Sequence, residues 1–296
     1  MKSETRKVVL CADDYGISPA VNRGINLLAK NRRISATSIM VCFDDWKKGA
    51  ETLIQFRDHL DIGLHFVLTD FSPLFSSSGL KTLANVRGDF FSVGRLIQKT
   101  LLGQIDEAEV LKELRAQYES FSDYFGFEPD YIDGHHNVHQ FPGVRNAVLK
   151  FLIEDKNRRF QYVRNTAISP KNIFRQKADF LKSGFISLWG YEFYKLAQSA
   201  RLPTNSSFSG VYGLDRFSKF GEKMKLFLAA SADMNGIIMT HPGIPDDTLA
   251  RRDIFFEGRQ FEYDYLMSPA FQEVLENFNF RLTRFMNPVY KSTVSK

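Results

Sequence analysis

Near the start of the chain, Val8-Val9-Leu10-Cys11-Ala12 forms a continuous apolar run that opens with two β-branched residues and stops abruptly at Asp13-Asp14-Tyr15-Gly16. A run without polar alternation suits a strand buried on both faces, as in a parallel sheet covered by helices. The pattern recurs. Ala36 to Phe43 is a second such segment and Ile62-Gly63-Leu64-His65-Phe66-Val67-Leu68 a third. Tyr131-Ile132-Asp133 is shorter, and Gly236-Ile237-Ile238-Met239-Thr240 comes late. Helical patterns lie between them. Ser18-Pro19 reads as an N-cap and first helical residue ahead of Val21, Ile25, Leu27 and Leu28. Further helices are predicted around Trp46 to Phe56, over Glu107 to Tyr124 with Gly126 as C-terminal cap, and over Val144 to Ile153. A helix from about Pro269 and a strand around Phe280 to Phe285 close the chain. Strands alternating with helices predict an α/β fold built on parallel strands.

Two segments fall outside this rhythm. Thr69 to Gly94 is rich in Ser, Gly and Asp and reads as a long loop, a lid or cleft wall. Ser169 to Ser209 holds aromatics and helical pieces with a break at Pro203-Thr204-Asn205, and reads as an insertion (about 169–209) covering the cleft. At 296 residues the chain is long for one domain, yet α/β barrels of this size are routinely single, so residues 1–296 are read as one domain. The net charge of +5 is dispersed. Its small clusters, Lys30-Arg32-Arg33 and Lys156-Arg158-Arg159, lack the length and aromatic interleaving of a nucleic-acid surface. The two cysteines, Cys11 and Cys42, sit in strand-like runs and read as buried free thiols of a reducing compartment. The charged start, Met1 to Lys7, precedes an apolar run too short for a signal peptide, and no later stretch is long enough to span a bilayer. The expectation is a cytoplasmic protein.

The chemistry gathers at predicted strand ends. Asp13-Asp14, His65, His135 and His241 each lie in or near the C-terminal part of a strand, which is where active sites of parallel α/β folds form. Five of the six histidines fall in these clusters: His65, His135, His136, His139 and His241; only His59 stands apart, in a charged stretch. Two histidines with one carboxylate are a common ligand set for a catalytic divalent ion, leaving positions for water and substrate. Two adjacent Asp residues cannot easily serve one spot in the same way, so one binds metal while the other accepts a proton from water. In His135-His136-Asn137-Val138-His139, both extended and helical geometry put His135 and His139 together and turn His136 away. His135, nearest the strand end, is the first choice of ligand. His139 is open between ligand, support behind a ligand and substrate contact, and His136 between site residue and structural histidine. His241, held by Pro242-Gly243, serves as general acid or orients Asp13.

These pieces, in this order, resemble the YdjC-like carbohydrate deacetylases, a family that includes the chitooligosaccharide deacetylases and a hopanoid-biosynthesis-associated branch. The matching segments are Ala12-Asp13-Asp14-Tyr15-Gly16-Ile17-Ser18, Gly63-Leu64-His65-Phe66-Val67-Leu68, Asp133-Gly134-His135-His136-Asn137-Val138-His139 and Met239-Thr240-His241-Pro242-Gly243. A fifth, from Arg251 through Glu262-Tyr263-Asp264-Tyr265-Leu266, resembles the family's closing Arg and Glu-Tyr motif. Each is weak alone; five in order are strong. The resemblance implies a distorted (β/α) barrel, one divalent metal ion (Mg or Zn) on Asp14, His65 and His135, Asp13 as base and His241 as acid. It implies that Arg164, after Tyr162-Val163, touches substrate, a role also assigned to His139. It further implies a small-molecule or oligosaccharide substrate, with a homodimer as one assembly open to the chain. Gly88-Asp89-Phe90-Phe91 and the helix after it lie closer to the hopanoid-associated branch. The chain departs from the family at Asn137, where a third consecutive histidine is common; no metal role falls there.

The reaction this implies is hydrolytic N-deacetylation of an N-acetylated sugar or glycoconjugate. A metal-dependent esterase or phosphoesterase keeps the same ligands, but phosphate favours an Arg/Lys clamp or a Gly-rich loop, and only isolated Arg candidates occur. A non-catalytic sugar binder would predict loss of Asp13 or Asp14, and both are present.

Overall fold

The computed structural model describes residues 4–154, 160, 162–175, 180–212, 219–232 and 234–286. The chain runs β1 (Arg6–Tyr15), α1 (Pro19–Lys30), β2 (Ala36–Ile39), α2 (Ala50–Ile54), β3 (Asp61–Phe66), α3 (Val93–Leu101), α4 (Glu107–Phe125), β4 (Tyr131–Gly134) and α5 (Val144–Glu154). It continues through β5 (Tyr162–Val163), α6 (Pro170–Arg175), α7 (Phe180–Ser199), β6 (Ser207–Ser209), α8 (Phe220–Ala230) and β7 (Gly236–Thr240). Then follow α9 (Asp247–Arg252), α10 (Phe256–Met267), α11 (Pro269–Asn277) and β8 (Phe280–Leu282). The strands form one sheet in the order β5-β4-β3-β2-β1-β7-β6, with β8 also paired to β1, and every ladder is parallel. The edges β5 and β6 approach through one parallel bridge, Val163 to Thr204, and a Val163 N–H donated to Pro203 O at 2.9 Å. This is a distorted (β/α) barrel with a thin seam.

The period of two along each strand sorts side chains between two compartments. Val8, Leu10 and Ala12 pack with Ile62, Leu64, Ile132 and the apolar faces of α1 and α4, in the layer between sheet and helices. Val9 and Cys11 turn the other way, into the barrel, with Tyr131, Tyr162, Ile237 and Met239. Below the strand ends the interior is plugged by stacked rings, Tyr131 on Tyr162 (centroids 4.6 Å) and Tyr162 on Phe285 (4.1 Å). Gly63 is dictated by this plug, because a Cβ there would stand 2.5 Å from the Tyr131 ring. Continuing the alternation upward puts Asp13, His65, Asp133, Arg164 and His241 on the inner face.

Ser18 caps α1 as expected, its Oγ accepting from Val21 N at 3.2 Å, with Pro19 at the first helical position. Other expectations are corrected. β1 extends to Tyr15, so Asp13-Asp14 lies within the strand rather than in a turn after it. The 169–209 region is not all insertion: residues 203–204 close the seam and β6 is a full member of the sheet, while α7 brings Ile186 and Trp189 to the cleft. The 69–94 loop is a pinned wall. Carboxylates one turn apart on α4 hold its backbone: Glu113 accepts from Leu74 N (3.0 Å) and Phe75 N (2.9 Å), and Glu109 from Lys81 N (3.0 Å) and Thr82 N (2.7 Å). Gln117, another turn along, exchanges two bonds with the Val67 backbone. Among the described residues no helix is long and apolar enough to cross a membrane.

Candidate active site

Asp13 and Asp14 are neighbours in sequence, and strict alternation would send Asp14 outward with Ala12. A bulge prevents this. The β1–β2 register shifts between Ala12 and Tyr15, and Asp14 takes φ of +66°, a left-handed conformation uncommon outside glycine. Both carboxylates therefore reach the same cleft. Gly16 follows at φ +100°, where a Cβ would meet Met40 O at 2.4 Å, so the chain turns out of the strand only with glycine.

Asp14 Oδ1 lies 3.2 Å from His65 Nε2 and 3.0 Å from His135 Nδ1. These three donor atoms lie within 4.8 Å of one another, the spacing a single ion needs. The second polar atoms of His65 and Asp14 are committed. His65 Nδ1 donates to Asp133 Oδ1 at 2.7 Å, which fixes its ring and leaves Nε2 facing the cluster. Arg259 Nη2 donates to Asp14 Oδ2 at 2.7 Å, and its Nε to Asp253 Oδ2 at 2.7 Å. Burial opposes charge on Asp14, but Arg259 and the two histidines hold its carboxyl well below the usual range. Burial likewise works against a charged His65, and the carboxylates of Asp133, Asp14 and Asp13 override it, raising the pKa to about 10. A cation is wanted where those carboxylates converge.

Asp13 is not part of that triad. Arg164 grips it with two bonds, Nη1 to Oδ2 at 2.6 Å and Nη2 to Oδ1 at 2.7 Å, and Nη2 also meets Asp133 Oδ2 at 2.5 Å. Ser38 Oγ donates to Asp13 Oδ1 at 3.3 Å. Burial pushes the Asp13 carboxyl up, yet Arg164 outweighs it and brings the pKa to about 2. His241 follows β7 directly and lines the cleft beside Asp13 and Asp14. Burial lowers its pKa against the pull of both carboxylates, and its Nδ1 is buried with no hydrogen-bond partner among the described residues.

Arg164 and His139 are placed differently from the sequence expectation. Both are fully buried and neither lines the cleft. Arg164 lies behind Asp13, and His139 lies behind Arg164, donating from Nε2 to Arg164 O at 2.9 Å. Burial keeps His139 neutral, with a pKa of about 4. In these positions Arg164 braces Asp13, and His139 braces the Arg164 backbone. The reason is local. His136 and Asn137 adopt φ of +53° and +58°, so the 135–139 segment follows neither an extended nor a helical period. His135 and His139 part company, and His136 joins His135 at the cleft instead, ring centroids 4.0 Å apart, its Nδ1 3.0 Å from Thr69 Oγ1. Arg251 is also off the site, on the exposed end of α9, while Arg252 and Arg259 line the cleft.

The cleft has a volume of about 640 Å³. Phe71, Phe141, Trp189, Tyr212 and Phe255 are among the residues that wall it. Sequence reasoning missed Asp133, Ser38, Arg259, Tyr212 and Glu262. Asp133 was legible, since it pairs in register with His65 across β3 and β4 and so shares its face. Glu262 lay within a quoted motif but gave no hint of its partners: the Tyr212 hydroxyl donates to Oε1 and the His241 N–H to Oε2, the latter at 2.6 Å. Burial raises the Glu262 carboxyl to about 7.

A parallel barrel that delivers two His and one Asp to a strand-end cleft, with a second Asp beside them, defines an α/β protein with a candidate metal centre. The chain matches the YdjC-like protein family over residues 7–277 and belongs to it. It is 28% identical over 287 residues to proteins named chitooligosaccharide deacetylase from Yersinia pestis (strain Pestoides F) and Yersinia pseudotuberculosis serotype O:1b (strain IP 31758). Each match covers 95% of this chain and 98% of the relative. Among solved structures it is similar to a putative cellobiose-phosphate cleavage protein from Enterococcus faecalis V583, with a TM-score of 0.74, 21% identity, and 95% and 98% of the two chains covered. That likeness carries the fold.

Proposed function

We propose that the protein is a metal-dependent deacetylase that hydrolyses the acetamide of an N-acetylated sugar. The observation that carries this reading is the meeting of Asp14, His65 and His135 around one point, with Asp13 and His241 at the same cleft. The donor set fits a divalent ion: two imidazole nitrogens and one carboxylate oxygen, with His65 oriented from behind by Asp133. Such an ion, Zn or Mg, supplies a Lewis acid for the acetamide carbonyl and lowers the pKa of a water. The names of the curated relatives support the sugar substrate.

Asp13 takes a proton from the attacking water, a reading supported by the two Arg164 bonds that hold it ionised and fix its orientation. The water oxygen bonds to the carbonyl carbon, the C–N bond breaks, and His241 gives the departing nitrogen a proton. Burial that lowers the pKa of His241 makes its protonated form a stronger donor to that nitrogen. Phe71 and Trp189 line the cleft, and aromatic rings there suit the apolar side of a pyranose.

The test is acetate release from a panel of N-acetylated sugars, comparing the wild type with Asp13→Asn and His65→Ala after metal analysis. Turnover abolished by both substitutions, with metal retained by Asp13→Asn and lost by His65→Ala, is the expected result. Bound metal without acetate release from any of the panel would sink the substrate claim and favour an esterase or phosphoesterase on the same ligands.

A further inference from the structure

The geometry points to Glu262, with Tyr212, as a positioning residue that sets His241 against the metal cluster, acting through the backbone of the β7 turn rather than on substrate. This inference rests on the deacetylase reading, in which His241 is the acid.

One turn of α10 touches both sides of the site. Arg259 donates to the ligand Asp14. Its carbonyl accepts from Gly243 N at 3.1 Å, two residues past His241. Glu262, three residues on and therefore on the same helix face, accepts from His241 N at 2.6 Å. The turn His241-Pro242-Gly243 is thus gripped at its first and last residues by the helix that also holds Asp14. Gly243 leaves no slack, since a Cβ there would come within 2.8 Å of Val21 and 3.4 Å of Arg259.

Glu262 lines the cleft beside His241, yet both of its carboxylate oxygens are spent on protein donors. Its side chain is 1% exposed. One carboxylate oxygen is taken by His241 N and the other by the Tyr212 hydroxyl. Tyr212 is itself packed on Phe220 (centroids 5.8 Å) from α8, so the acceptor is locked from behind. A carboxylate engaged at both oxygens by protein donors fixes the height of the β7 end relative to α10. Because α10 carries Arg259 as well, the spacing between His241 and Asp14 is set by one rigid element.

The experiment compares Glu262→Ala, Glu262→Gln and Tyr212→Phe in the full chain loaded with zinc, with N,N′-diacetylchitobiose as substrate. Glu262→Ala should lower kcat on the order of 10- to 100-fold, the scale of a small misplacement of a reacting group. KM and zinc affinity should stay within about 3-fold, because both Glu262 oxygens are engaged by the protein itself and no metal ligand is removed. Glu262→Gln keeps an oxygen acceptor for His241 N and should recover most of the rate. In a His241→Ala background, Glu262→Ala should cost nothing further. An equal cost in both backgrounds, or a rise in KM alone, would overturn the inference by showing that Glu262 acts on substrate. The amide proton of His241, followed by NMR without substrate, should lose its downfield shift and exchange protection in Glu262→Ala; no change there would also overturn it. A wild type that releases no acetate would defeat the deacetylase reading instead, while the amide signal still reads the positioning.

Discussion

Replacing Arg164 by Met separates the role the structure gives this residue from the substrate contact expected of it. Arg164 has no exposed surface and neutralises two buried carboxylates, Asp13 at 2.6 and 2.7 Å and Asp133 at 2.5 Å. Methionine fills much of the volume but leaves both acids without a counter-charge. Breaking a buried pair by removing one partner costs about 3–5 kcal/mol. The wild-type Asp13 carboxyl, at about 2 against an ordinary 3.8, alone corresponds to about 2 kcal/mol of that sum. The sign follows from the direction of the shift. In the wild type the folded pKa lies below the unfolded one, so this stability is present above about pH 4 and is lost as pH falls toward about 2. In Arg164→Met the main opponent of burial is gone, leaving only the weaker pull of His65 and His241, so the Asp13 pKa rises, the folded variant takes up a proton and it is least stable at high pH. Urea denaturation followed by the fluorescence of Trp46 and Trp189 should therefore show a deficit of about 3–5 kcal/mol near pH 7.5 that narrows near pH 5. The acid limb of kcat/KM should move to higher pH. A variant as stable as the wild type at both pH values, with a raised KM and an unmoved pH profile, would refute the reasoning and restore Arg164 as a substrate contact.

Three further outcomes are expected. Asp133→Asn removes the charge behind His65 Nδ1, and zinc affinity measured by chelator competition should fall about 10- to 100-fold with the barrel still folded. Glu113→Ala leaves Leu74 N and Phe75 N without their acceptor; stability should drop by about 1–3 kcal/mol, and hydrogen exchange should speed up at those amides while β1 stays protected. Phe71→Ala and Trp189→Ala should each raise KM for an N-acetylated disaccharide by about 10-fold with metal content unchanged; equal KM values would remove these rings from the substrate path.

The parallel architecture and the strand-end histidines were readable because they rest on two robust regularities, apolar runs and period-two faces. Asp13, His65 and His241 sit where those rules put them. What escaped is non-periodic or long-range. No pattern reveals that His136 and Asn137 take successive positive φ values, and those two angles alone decide which histidines meet. Arg164 was expected to touch substrate on the resemblance alone; the partners that bury it lie 151 and 31 positions back in sequence, at Asp13 and Asp133. β6 was hidden inside an apparent insertion because a three-residue strand carries too little period to count.

β1 meets β7 along one edge and both β2 and β8 along the other, and from Val8 to Tyr15 every residue is buried. Opening this strand means dismantling the sheet on both sides, so its amides should be among the last to exchange with solvent. The carboxylates of Asp13 and Asp14 thus ride on the part of the molecule that local fluctuation reaches least. An ion can then come and go by way of the cleft while the barrel stays intact. Metal-free and metal-loaded protein should share one fold, and loading should register as a rise in melting temperature rather than as a folding event.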